Sequence, residues 1–243
     1  MLIMENTITI EEAVRRALNT ERTAIEKIKN LDERSFYVGF LENPNLIYAC
    51  NSIFKEANYL NARNHFYTCA ALKEYIHLYY KESVFTTHRS FCYALLSDNS
   101  KIINRYLQYK DDFFQTFGVS FAKALQACIE NDDTKLADQI NLLEKYVSRK
   151  TWEKNYVGSV NSFRGILLRD KSLTEQGINE FLKKHNRQDH PVIVKDFLNI
   201  EALTLAKLAY RKGIEVDIKN KLVPKEMIVT KELEKYTTYD FLE

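Results

Sequence analysis

Glycine and proline are scarce in this chain of 243 residues, which contains six glycines and three prolines. Folds of many short β-strands need frequent turns, and disordered linkers are rich in the same two residues, so the scarcity argues against both. The sequence also contains no glycine-rich phosphate loop and no G-x-S-x-G nucleophile motif. Long helices joined by short connections are therefore the expected architecture.

An excess of charge of one sign is absent as well. The 35 basic and 33 acidic residues leave a net charge of +2, and no block of like charge occurs. A nucleic-acid or membrane-surface binder needs a concentrated basic field, so neither partner is expected. The sequence contains no stretch of about 18 apolar residues, so we predict no membrane span. The first residues lack the apolar core of a signal peptide. We expect a cytoplasmic protein.

Cysteine pairs are also missing. The four cysteines stand singly within apolar helical patterns, at Cys50, Cys69, Cys92 and Cys128. None forms a C-x-x-C pair or neighbours a histidine at the spacing of metal ligands. The pattern predicts small, buried, reduced thiols, and no metal site or cofactor is expected.

Apolar residues recur at helical spacing along most of the chain. A T-x-x-E capping box at Thr9 and Glu12 opens a first helix. A short aromatic helix follows at 35–41 and is expected to stop before Pro44, and residues 46–81 continue as helix with a break near 59–63. We predict one all-α domain over 1–243, with aromatic helices over 1–119.

Three short polar turns divide the central part of the chain. They read SDNS at 97–100, NDDT at 131–134 and RDKS at 169–172, and each follows an apolar helix. Ser100, Thr134 and Ser172 are predicted to cap the helices that follow. The turns recur at intervals close to those of tetratricopeptide-like repeats, without that family's signature. The pattern predicts an array of antiparallel helical hairpins, either repeat-like or an irregular bundle.

Acidic residues gather at these turns. If the turns are equivalent corners of stacked hairpins, their carboxylates lie along one edge, which would attract a basic partner surface. Ordinary capping and solvation is the competing interpretation. The candidate partner-binding residues are Asp98, Asp111, Asp112, Asp132, Asp133 and Asp170.

The C-terminal part changes character at a glycine. Pro191 is predicted to start a helix over 192–212, and Gly213 to end it in the left-handed conformation. The alternation over 214–218 then predicts an extended segment, and apolar residues continue around Pro224. We expect the tail over 213–243 to lie on the helical body and fix the C-terminus.

Catalytic motifs are not found among the five histidines. Asp189 and His190 are the nearest candidates for an acid/base pair, but adjacent loop residues usually face apart. The sequence predicts a protein that is not an enzyme, with no catalytic and no metal-binding residues.

The C-terminal half, over 120–230, resembles the immunity protein 49 family. The likeness rests on Trp152, on the segment from Phe181 to His185, and on L-A-x-L-A-x-R-x-G-I-x-V over 205–216, followed by Val223-Pro224. These are bacterial proteins that neutralise toxins of polymorphic toxin systems. The resemblance implies an all-helical, non-catalytic protein that binds a cognate toxin, with Trp152, Gly213 and Pro224 as structural residues.

Two other functions remain open at this point. A helical-repeat adaptor or regulator would bind a peptide or protein partner in a concave apolar groove. A helical enzyme would use His185, His190 and Asp189, with His190 pointing into a pocket. The toxin is expected to be encoded by a neighbouring gene, an arrangement that neither alternative requires.

Overall fold

The computed structural model describes residues 8–29, 34–85, 87–110 and 115–242, and within these ranges it is all-α, with no β-strand. The predicted fold class is confirmed. The α-helices are α1 (Ile10–Ile28), α2 (Arg34–Phe40), α3 (Glu42–Phe54), α4 (Tyr59–Tyr80), α5 (Arg89–Ser97), α6 (Ser100–Gln108), α7 (Phe117–Glu130), α8 (Asp133–Val147), α9 (Val157–Leu168), α10 (Lys171–Lys183) and α11 (Ile200–Arg211). Short 3-10 turns occupy Trp152–Tyr156, His185–Arg187, Val194–Asp196, Lys225–Met227 and Asp240–Leu242.

The N-terminal helices follow the sequence pattern closely. The Thr9 side chain accepts a hydrogen bond from the Glu12 backbone N–H, which confirms the cap of α1. The short aromatic helix α2 ends at Phe40, before Pro44 as predicted, and Pro44 falls in the first turn of α3, where its missing N–H costs no hydrogen bond. The break between α3 and α4 lies over 55–58, slightly earlier than predicted.

Consecutive helices pack as antiparallel hairpins, most extensively α9 with α10. Glycines allow these two helices to approach closely. A Cβ on Gly158 would lie 2.2 Å from the Phe181 backbone nitrogen, and one on Gly177 would lie 2.3 Å from the Ser162 nitrogen. No larger side chain fits at either position, so the two glycines allow the backbones of α9 and α10 to pack directly against each other.

The three polar turns share one backbone geometry. In each, a residue with positive φ ends one helix, and these residues are Asp98, Asn131 and Arg169. The following residue caps the next helix through its side-chain oxygen, and these caps are Asn99, Asp132 and Asp170. Two residues therefore suffice to reverse the chain at each hairpin.

The predicted caps Ser100, Thr134 and Ser172 are wrong by one or two positions. Each lies inside the first turn of its helix. The Asn or Asp that precedes it already accepts the backbone N–H three residues further on, as Asp132 does from Lys135 at 2.9 Å. Asn and Asp are at least as effective caps as Ser and Thr, and here they come first along the chain.

Helix α11 lies at the centre of the molecule. It packs against α5, α7, α9 and α10, and every residue from Ile200 to Ala209 is buried. It starts at Ile200 with Asn199 as its cap, so the predicted helix from 192 is wrong: residues 191–199 form turns, in which Ile193 has a φ of 75°. A helix buried on all sides needs no amphipathic stripe.

Gly213 ends α11 as predicted. Its φ is +75°, and the next residue, Ile214, donates its N–H to the Ala209 carbonyl at 2.9 Å. The chain then runs without regular structure, with Ile214 and Ile218 buried against the helices. Pro224, with a φ of −63°, precedes a 3-10 turn. The extended tail is confirmed.

The last residues of the tail cross the molecule to its N-terminal helices. The Tyr236 hydroxyl donates to the Ser97 carbonyl at 2.9 Å, and the Tyr239 hydroxyl contacts Glu21 and Asn45. A hydrophobic cluster contains residues from Ala13 to Ile228, with a smaller one among α1, α2 and α4. We propose on this basis that the chain forms one domain. Within the described ranges, no helix is both long and apolar enough to cross a bilayer.

Gly213→Val should lower the free energy of unfolding by about 1–3 kcal/mol, because a β-branched residue is strained at positive φ. A Cβ at Gly213 meets no atom within 4 Å, so the cost is conformational. Gly39→Val is the matched control, since Gly39 lies within α2 with equal space around it and a helical backbone. Urea unfolding measures both, and equal midpoints for the two variants would contradict the prediction.

Candidate partner-binding surface

The three hairpin turns converge on the C-terminal end of α11. Asp98 accepts a hydrogen bond from Arg211 at 2.7 Å, and Asn131 accepts one from the Lys212 ammonium at 2.5 Å. Arg169 donates to the Lys212 carbonyl. We call the turns together with the first residue of α8, over 98–99, 131–133 and 169–170, the turn edge. Their common neighbourhood is the juxtaposition that the sequence pattern predicted.

Asp98 does not belong to an exposed acidic edge, which corrects the prediction for this residue. Its side chain has no exposed area. One carboxylate oxygen accepts from Arg63 Nε at 2.8 Å, from Lys207 Nζ at 2.7 Å and from the Lys231 backbone N–H at 3.0 Å, while the other accepts from Arg211. The left-handed backbone of Asp98 turns its side chain inward, where three cations surround it.

The cations around Asp98 also hold the tail. Lys207 Nζ donates to the Met227 and Val229 carbonyls at 2.9 and 3.1 Å, and Arg63 donates to the Val229 carbonyl at 2.7 Å. Burial lowers the pKa of Lys207 to about 8, although the neighbouring Asp98 carboxylate acts to raise it. Burial by itself raises the pKa of Asp98, but Lys207 and Arg63 hold it below its usual value. The carboxylate is thus ionised at neutral pH.

The remaining acidic residues of the turn edge are accessible. Asp133 and Asp170 are exposed, and Asp132 is partly exposed while it caps α8. Lys135 lies 3.0 Å from Asp132 and 3.7 Å from Glu130, so part of the negative charge is balanced locally. Asp111 and Asp112, the other two candidates, lie outside the described residues.

A second buried ionic cluster lies at the N-terminal end of α11. Glu201 is fully buried, and one carboxylate oxygen contacts His88 Nε2 at 2.8 Å and Arg89 Nε at 2.9 Å. The other oxygen has no hydrogen-bond partner, and His190 Nδ1 is 3.9 Å away. Burial by itself raises the pKa of Glu201, but Arg89 and His88 hold it far below the usual value. Both ends of α11 therefore hold a buried, paired charge.

Asp189 and His190 face apart, as adjacent loop residues usually do. The Asp189 side chain is 84% exposed, whereas the His190 side chain is 3% exposed and stacks on His185 at 4.2 Å. Burial lowers the pKa of His190 to about 4, which leaves its ring neutral at pH 7. The two residues therefore do not form an acid/base pair. His190 is nevertheless buried and has polar contacts.

A concave recess lies beside the Glu201 cluster, and His88 and Arg89 of that cluster line it. Its volume is about 480 Å³. We call it the Trp152 pocket, and its lining consists of Thr87, His88, Arg89, Gln115, Thr116, Phe117, Gly118, Tyr146, Arg149, Trp152, Glu153, Tyr156 and Asp189. Aromatic rings form its walls and charged groups lie at its floor and rim, a mixture typical of protein recognition sites.

Trp152 forms an open wall of this pocket. Its side chain packs edge-on against Phe117 and Tyr156, with ring centroids 5.6 and 5.5 Å apart, yet Trp152 remains 54% exposed. On the opposite wall the Arg149 guanidinium lies 4.5 Å from the centre of the Tyr146 ring. Trp152 was predicted to be structural on resemblance alone, and its exposure also makes it available to a partner.

Sequence reasoning named Asp98, Trp152, Asp189 and His190 for other roles and missed the remaining residues of both ionic clusters and the pocket. The signal available for the clusters was the presence of Glu201 and Lys207 inside an otherwise apolar helix, since buried charges require partners. Nothing local marked Arg63 or Arg89, because their acidic partners Asp98 and Glu201 are far away in the sequence. In the described ranges, no three His, Cys, Asp or Glu side chains are placed to hold a metal ion.

The fold defines an all-α protein of helical hairpins whose buried charges are paired internally. A family model described as Immunity protein 49 matches residues 59–227, more than half of the chain. The chain belongs to this family, which implies a toxin as partner in general. The match begins well before residue 120, so it also includes the α4 and α5 residues that were not part of the original resemblance. No match was found among curated proteins or solved structures.

Asp98→Asn should lower the free energy of unfolding by about 3–5 kcal/mol at pH 7, because it leaves buried cations without their counter-charge. The pKa of Asp98 is lower in the folded protein than in the unfolded chain, where it is near 3.8. The stability that the ionised carboxylate contributes is therefore complete above the unfolded pKa, and it is lost as pH falls through the lower folded pKa. The difference from wild type should therefore stay constant from about pH 7 to 5 and shrink in stronger acid.

Urea unfolding at several pH values measures this difference. Asp196→Asn is the control, because Asp196 is exposed and its neutralisation should change the free energy of unfolding by less than about 0.5 kcal/mol. A loss for Asp98→Asn as small as that of the control would contradict a stabilising role for the cluster.

Proposed function

We propose that this protein is an immunity protein that binds a cognate bacterial toxin and neutralises it by occlusion, without catalysis. The family match over 59–227 carries the proposal. An occluding protein needs a stable surface that matches its target, and it needs no reactive group. The paired interior charges of Asp98 and Glu201 support this, because they fix the positions of α4, α5 and α11 beneath the surface.

The proposed binding surface combines the turn edge and the Trp152 pocket. Asp132, Asp133 and Asp170 would steer a basic toxin surface toward the molecule, with Asp111 and Asp112 assigned to the same role by sequence alone. Exposed charges of this kind act mainly on association rates, whereas partly buried aromatic anchors contribute most to affinity. Asp98 is left out, since it has no exposed atom for a partner to reach.

We place the action in the cytoplasm of the producing cell and the toxin gene next to this one. All four cysteines are free and buried, which suits a reducing compartment. An immunity protein has to be present wherever its toxin is made, and synthesis from adjacent genes supplies both products together.

Co-expression with the toxin encoded by the neighbouring gene should restore growth to cells that the toxin alone arrests. In vitro, inhibition should be stoichiometric, because a protein that occludes is used up by binding. Titrating purified protein against toxin activity measures this. Full neutralisation by a small fraction of an equivalent would contradict occlusion and indicate turnover.

Replacing Asp132 and Asp133 together with Asn should slow association with that toxin several-fold at low salt, with little change in the dissociation rate. Asn retains the cap of α8, so the change tests charge without removing the capping hydrogen bond. Asp138→Asn, an exposed position further along the same helix, is the control. Surface-based kinetics at two salt concentrations measure the rates, and unchanged association at low salt would show that the turn edge serves only capping and solvation.

A further inference from the structure

We infer that the Trp152 pocket receives a cationic side chain, lysine or arginine, from the toxin. This inference rests on the proposed function for the identity of the partner. It depends on three features of the pocket: an unpaired carboxylate oxygen, an excess of acidic groups, and aromatic walls that already hold one guanidinium.

The unpaired carboxylate belongs to Glu153. This residue lines the pocket, and its Oε2 atom is shielded from solvent without a hydrogen-bond partner. A carboxylate oxygen in that position has lost water without gaining a donor, which is unfavourable. Once rotation of the Glu153 side chain exposes this oxygen, an ammonium or guanidinium group in the pocket would supply the missing donor through a charge-assisted hydrogen bond.

The charges around the pocket favour a cation over an anion. Arg89 is buried, and its charge is compensated by Glu201 at 2.9 Å, a fully buried residue that is not part of the pocket lining. The Asp189 carboxylate is 84% exposed at the rim. The lining contains two carboxylates, Glu153 and Asp189, and with Arg89 paired to Glu201 they face the guanidinium group of Arg149. The balance is negative where a partner would enter.

The walls suit a cation for a second reason. Aromatic faces attract cations through their quadrupole, and Trp does so most strongly. Arg149 shows this within the pocket itself, where its guanidinium lies 4.5 Å from the Tyr146 ring centre. Trp152, which is 54% exposed, and Glu153 both line the pocket. A cation placed between them would meet a ring face and a carboxylate together.

The pocket can be tested by itself, because Trp152 is the only tryptophan of the chain and its fluorescence reports on this site alone. Titration with N-acetylargininamide should produce a saturable change in emission, and the neutral N-acetylglutaminamide should produce none. The change should disappear in Glu153→Gln. An equal response to both amides, or a response that Glu153→Gln leaves intact, would overturn the inference.

Binding of the toxin encoded by the neighbouring gene provides a second test. Trp152→Ala and Glu153→Gln should each weaken affinity at least about 30-fold, as expected for central anchor residues. Leu168→Ala and Glu215→Gln, exposed residues of matching type outside the pocket, should leave it unchanged. Loss of affinity in Arg149→Ala with none in Glu153→Gln would show that an acidic group enters instead, and would overturn the inference.

The two tests separate this inference from the proposed function. If wild-type protein does not rescue growth but the argininamide titration succeeds, the immunity function fails while the cation-binding pocket stands. If rescue succeeds and Trp152→Ala and Glu153→Gln rescue as well and bind as tightly, the function stands and the pocket is not where the toxin binds.

Discussion

The interaction on which this structure depends is the contact of Asp98 with Arg63, Lys207 and Arg211. Removing a cation from water costs several kcal/mol, and only a well-placed counter-charge with further hydrogen bonds offsets that cost. Asp98 supplies the charge, and the tail carbonyls accept the remaining donors. One carboxylate therefore joins the turn after α5 to α4 and α11 through ion pairs and to the C-terminal segment through the Lys231 backbone N–H.

Helix α11 has a buried ion pair near each of its ends. Near one end Lys207 meets Asp98, and at the other Glu201 meets Arg89 and His88, while the residues between them pack against helices on every side. Buried ion pairs contribute less to stability than well-packed apolar groups would, but they tolerate few alternative arrangements. In this protein they determine where α11 lies relative to α4 and α5, and thereby where the turn edge and the Trp152 pocket are placed on the surface.

In the proposed complex, the two surfaces would act at different stages of binding. The turn edge presents Asp133 and Asp170 to solvent, where screened charges influence approach more than affinity. The Trp152 pocket offers exposed aromatic area over a rigid floor, which is where binding energy concentrates in protein interfaces. Asp132 contributes to both fold and surface because it caps α8 while its charge stays accessible.

The sequence by itself determined the local features of this protein. The cap at Thr9, the left-handed Gly213, the hairpin turns and the all-α class each depend on residues within a few positions of one another, where backbone geometry dominates. Only the tertiary structure decided which acidic residues face solvent. Asp98 and Asp133 look alike in their polar turns, yet one is enclosed by cations from α4 and α11 and the other is exposed. Whether a charge can be buried depends on partners that are distant in the chain, and the local sequence does not show which residues those partners are.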